Sequence, residues 1–94
     1  MARRVFARQV LYSNQEHTIE VHTQLTVISA CHHIGDKMYL ITNENDTSPL
    51  TTMEVRVIEP GDEVPSETNR TVAAVVLMPD DDIKVVCISK NTDN

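Results

Sequence analysis

His17-Thr18-Ile19-Glu20-Val21-His22 is the stretch that decides the fold. Ile19 and Val21 point one way and Thr18, Glu20 and His22 the other, the period of two that a strand shows when one face of its sheet is wet. Outward from this hexapeptide the same period recurs, and no segment carries a helical stripe over three turns. Val, Ile and Thr number 12, 7 and 10, together 29 of 94 residues. Their branched Cβ suits a pleated surface better than a helix.

Toward the N-terminus, residues 4–11 read as a first strand, with Val5, Ala7 and Leu11 on one face and Phe6, Arg8 and Val10 on the other. Toward the C-terminus, Thr23-Gln24 leads into a third strand over 25–34, and Gly35-Asp36 predicts a two-residue type II′ hairpin into a fourth over 37–42. Residues 43–51, polar and interrupted by Pro49, read as a loop. A fifth strand over 52–58 ends at Pro60-Gly61, which suits the centre of a type II turn. The unbroken apolar run at 71–78 predicts a strand covered on both faces. Pro79-Asp80-Asp81-Asp82 then turns the chain into a last strand over 83–89. The expected fold is all-β: about seven short, mostly antiparallel strands in a small sandwich or partly open barrel. A short helical turn within 43–50 or 62–69 is the alternative at those segments. One compact domain is expected over residues 1–90, with a polar tail at 91–94.

Composition excludes several functions. Acidic side chains outnumber basic ones 14 to 8, a formal charge of −6, and Phe6, Tyr12 and Tyr39 are the three aromatics. That balance disfavours phosphate-backbone binding and a base-stacking platform, so direct nucleic-acid binding is not expected. Two glycines leave no room for a Gly-rich phosphate cradle, and no metal-ligand or nucleophile motif occurs, so neither cofactor nor metal is expected. The charged opening segment lacks the apolar run of a signal peptide, and no apolar stretch is long enough for a transmembrane helix. A cytoplasmic location without a membrane partner follows, with Cys31 and Cys87 as reduced core thiols. Asn45-Asp46-Thr47 and Asn69-Arg70-Thr71 read as chance matches to the glycosylation sequon.

The side chains that could carry chemistry are few. His32 and His33 fall on opposite strand faces, as do His17 and His22, so neither pair closes on one metal. Cys31 and His33 share a face and are the best local ligand pair, and with Ser29 they form no ordered nucleophile and base. No catalytic residue is assigned, and the protein is read as a non-enzyme. Arg3, Arg4, Arg8 and Arg56 could hold phosphate oxygens, with Tyr12 or Tyr39 against a base. Glu59, Asp62, Glu63 and Glu67, with the Asp80-Asp81-Asp82 hairpin tip, form negative segments that could meet a basic partner. The excess acid thus concentrates at 44–46, 59–67 and 80–82, as loops around a nearly neutral sheet.

The strand segments resemble, in order, a small domain family of unknown function found in phage, prophage and bacterial genomes. The matching stretches are Val5 to Leu11, Thr18 to Val21, Val27 to Ala30, Met38 to Ile41, Glu54 to Pro65, Arg70 to Pro79 and Lys84 to Ile88. Met38-Tyr39, Glu59-Pro60-Gly61-Asp62 and Val85-Val86 stand where the family tends to carry Trp-Leu, Gly-Thr-Gly-His and Trp-His. The resemblance implies a phage-like origin and a compact β-rich domain. The expected function is that of a non-enzymatic, phage-type accessory protein in the host cytoplasm, inhibiting or modulating a host protein through an exposed face or its acidic loops. The alternatives are an oligomeric sponge for a small anionic, nucleotide-like ligand and a minor virion structural protein. A thin core and unpaired strand edges make a homo-oligomer the expected state.

Overall fold

A computed structural model describes residues 2–12, 15–33, 35, 37–63 and 70–89 of the chain. Seven strands account for most of them: β1 (Arg3–Val10), β2 (His17–His22), β3 (Leu25–His32), β4 (Met38–Asn45), β5 (Leu50–Ile58), β6 (Arg70–Leu77) and β7 (Ile83–Ser89). Among the described residues there is no helix. Two antiparallel sheets form, one in the order β1-β4-β3 and the other in the order β2-β5-β7-β6. They face each other without closing into a barrel. β3 lies against β6 on one side, and β1 approaches β2 on the other.

The period of two explains which side chains meet. Val10, Val21, Leu25, Met38, Leu40, Met53, Val55, Val57, Val76, Val86 and Ile88 come from all seven strands and fill one core between the sheets. That core holds no aromatic ring, so β-branched and Met side chains supply its volume. On β2 Val21 is buried and Thr18 and Glu20 are exposed as expected, but His22, expected on the wet face, is drawn against the buried Glu44 and is only 13% exposed. On β1, Val10 is buried while Val5 and Ala7 face solvent.

Several expectations change. β4 runs through Asn45 and β5 starts at Leu50, so the expected loop at 43–51 shrinks to residues 46–49. The polar composition of 43–45 had concealed strand pairing of Asn43, Glu44 and Asn45 with Val5, Arg4 and Arg3. His32 pairs with Met38, and the His33 amide donates to the Lys37 carbonyl at 2.9 Å. Strand pairing therefore ends at His33 and Lys37; the turn expected at Gly35-Asp36 involves Ile34 and Asp36, which lie outside the described residues. The apolar run of β6 is covered on one face only: Ala74 and Val76 enter the core, whereas Val72, Val75 and Leu77 are exposed. In a two-layer sandwich each strand turns one face to the core and the other outward, and an apolar run does not distinguish that from a strand covered on both faces. Cys87 is buried as expected, but Cys31 is exposed, and neither forms a disulfide. Ile28 in β3 and Ala73 in β6 are bulged out of register, so each shifts the alternation by one residue.

Two turns follow their sequence signals. At Pro60-Gly61 the Asp62 amide donates to the Glu59 carbonyl at 3.0 Å, with Gly61 at φ 95°, as a type II turn requires. At the β6–β7 hairpin the Asp81 amide donates to the Met78 carbonyl at 3.1 Å and the Met78 amide to the Asp82 carbonyl at 2.7 Å. Asp81 itself sits in the left-handed region at φ 64°. Asp tolerates that region better than most residues, but Gly occupies it without steric cost. Asp81→Gly should therefore stabilise the fold by about 0.5 kcal/mol, and Asp81→Val should destabilise it by about 1–2 kcal/mol. Thermal unfolding followed by far-ultraviolet circular dichroism checks both; equal midpoints for the two variants would contradict the turn geometry.

Candidate functional site

Charged side chains gather at both ends of the sandwich. At the end where β4 leaves its sheet, Met38, Leu40, Thr42 and Glu44 share the inward face of the strand, and the Glu44 side chain is 0% exposed. A bare carboxylate there would be strongly unfavourable, so it must be surrounded by donors. Arg8 of β1 supplies two, with Nη2 2.6 Å from Oε1 and Nε 2.9 Å from Oε2. His22 of β2 supplies its backbone amide at 2.9 Å and its Nδ1 at 2.7 Å, both to Oε1. The Thr42 hydroxyl donates to Oε2. Because the carboxylate can only accept, Nδ1 of His22 carries the proton in this contact. Phe6 completes the cluster, with the Arg8 guanidinium 4.3 Å from its ring centre and the His22 ring 5.5 Å away.

Burial pushes the Glu44 carboxyl up, but the hydrogen bonds from Arg8, Thr42 and His22 overcome it and hold the group at about 2. The Glu44 hydrogen bonds in turn raise Arg8 above its ordinary value. Both Glu44 oxygens are thus engaged by donors from three strands. The network acts as a structural tie between β1, β2 and β4.

The opposite end is acidic. Lys84 reaches Glu59 in an ion pair and Asp82 at 3.1 Å, with Nζ 5.7 Å from the centre of the Tyr12 ring. Hydrogen bonds to Glu59 and then to Asp82 raise Lys84. Asp82 is lowered by Lys84 and by the Ile83 amide. The pairing of Ile58 with Val85 brings the ends of β5 and β7 side by side. Glu59, Asp62 and Glu63 thereby lie beside Asp80, Asp81 and Asp82 on one rim. Asp62, Glu63, Asp80 and Asp81 are exposed; Glu67 lies outside the described residues.

The expected phosphate ligands do not converge. Arg3 donates to Asn43 Oδ1 at 3.1 Å, Arg4 pairs with Asp46 at 2.5 Å, and Arg8 is bound to Glu44. Arg56 is on β5 in the other sheet. Tyr12 lies near Lys84, while Tyr39 packs edge-on against His33 with ring centres 6.2 Å apart. Among the described residues no three His, Cys, Asp or Glu side chains cluster as metal ligands, and no helix is long and apolar enough to cross a membrane. Asn45 of the first sequon is buried and donates to Gln24 Oε1 at 2.7 Å; Asn69 of the second is outside the described residues.

Sequence reasoning missed Glu44, which it placed in a solvated acidic loop. The signal was present: extending the 38, 40, 42 alternation by one step puts Glu44 on the same buried face. No protein-family model, curated protein or solved structure matches the chain.

The lowered Glu44 value fixes the sign of a pH effect. The unfolded chain takes up this proton near 4.5 and the folded one only at about 2. The stabilisation is fully present above 4.5 and is lost as pH falls toward 2, amounting to about 3 kcal/mol at neutral pH. Urea unfolding of wild type should weaken across that window, and Glu44→Gln should lack this share of the slope. At pH 7 the same variant should lose about 3–5 kcal/mol, because Arg8 is left facing a neutral partner.

Proposed function

We propose that this protein is a non-enzymatic, phage-type accessory protein that modulates a host protein by binding it through the acidic end of the sandwich. The observation that supports this reading is the meeting of two turns on one rim. Lys84 is engaged by Glu59 and Asp82, while Asp62, Glu63, Asp80 and Asp81 face solvent. A rim of one sign attracts a basic surface, speeds encounter and selects against acidic competitors. It stands on tight turns held by backbone hydrogen bonds, so its charges are presented on a rigid support.

Affinity capture from infected host cells, with the retained proteins identified by mass, tests the reading. Wild type should retain a host protein with a basic surface, and the double variant Asp62→Lys/Glu63→Lys should retain about tenfold less of it, as should wild type at high salt. Equal retention by the double variant would overturn it.

A further inference from the structure

A histidine ring bridges the residue that follows β1 to the start of β2. The Leu11 amide donates to His17 Nε2 at 3.1 Å, and His17 Nδ1 stands 3.2 Å from the Gln15 carbonyl. A carbonyl accepts and never donates, so Nδ1 carries a proton; an amide N–H donates and never accepts, so Nε2 carries none. The two contacts together fix one state, the neutral ring protonated on Nδ1. His22, at the other end of β2, is held differently. Its Nδ1 donates to the Glu44 carboxylate, and that bond survives a second proton on the ring. The bond from Leu11 to His17 does not, because it needs the bare nitrogen.

We propose that His17 is a proton-operated latch on the end of β1. With the ring neutral, Leu11 is tied to β2. A proton taken from solvent onto Nε2 sets a second donor against the Leu11 amide, so the ring swings away and the amide turns to water. Around the ring, Val55 lies opposite on β5, with Glu54 and Arg56 on either side of it turned to the other face of that strand. Glu16 precedes His17, and Tyr12 follows Leu11 with its ring centre 5.7 Å from Lys84 Nζ, itself paired with Glu59 and Asp82. None of these is an imidazole, the side chain that ordinarily changes charge between about pH 5 and 8. Leu11 and Tyr12 are exposed and outside the core, so opening the latch leaves the sandwich intact. Tyr12 is carried by Leu11, so the latch also governs whether its ring stays beside Lys84. The tie belongs to the fold and holds whatever the acidic rim binds.

Nuclear magnetic resonance on the isotope-labelled chain tests the proposal. At about pH 8 the His17 ring nitrogens should show a proton on Nδ1 and none on Nε2. Between about pH 8 and 5, protection of the Leu11 amide from hydrogen exchange, taken relative to an unstructured chain at the same pH, should fall about tenfold. The strand amides of β4 and β5 should keep their protection. His17→Gln places a carbonyl oxygen, an acceptor at any pH, where Nε2 stood and retains the other histidines, so its Leu11 protection should stay level over the same range. A proton on Nε2 at the higher pH, constant Leu11 protection in wild type, or an equal fall in His17→Gln would each overturn the proposal.

Discussion

A strand edge must satisfy its backbone groups, and here one side chain does so across the gap between two sheets. β1 and β2 approach each other from different sheets without a backbone ladder between them. Glu44 stands between them, taking the amide of His22 from one sheet and the guanidinium of Arg8 from the other. Its carboxylate replaces a rung of the ladder that a closed barrel would have made. The rest of the structure depends on that substitution. It lets the sheets part on this side, fixes β2 against β4, and permits a buried charge where a hydrophobic residue would leave the β2 amide unsatisfied.

The alternating stretches were legible because each lies between one dry and one wet face. β2 and β7 follow from sequence at both ends, and the Pro60-Gly61 turn follows from the φ that only glycine adopts freely. Long-range events were hidden. Whether β6 is covered on one face or on both depends on what packs against its sheet, which no local pattern encodes. Glu44 reads as solvated until Arg8, 36 residues earlier, is known to sit above it. The polar step at Asn43 to Asn45 resembles a loop because a strand that ends among ion pairs has the composition of one.

The two charged ends differ in kind. At the Glu44 end the buried carboxylate is paired inside the fold, so its polarity serves cohesion. At the Lys84 end a single cation is shared by two acids, and further carboxylates remain in water. The sequence assigned all acidic segments to one class. The fold divides them into an internal tie and an external rim, which is why the net charge alone carried so little information about partners.

The interleaving of the two sheets also governs how the chain can fold. β1, β3 and β4 make one sheet from the first half of the sequence, but β2, which lies between them in sequence, pairs only with β5 of the second half. No contiguous fragment holds a complete sheet with its covering partner. The first half therefore reaches a stable state only when the second half has closed over it. Such non-local pairing places the chain among slower-folding two-state domains, in the millisecond-to-second regime, and makes folding a single event in which both sheets form together.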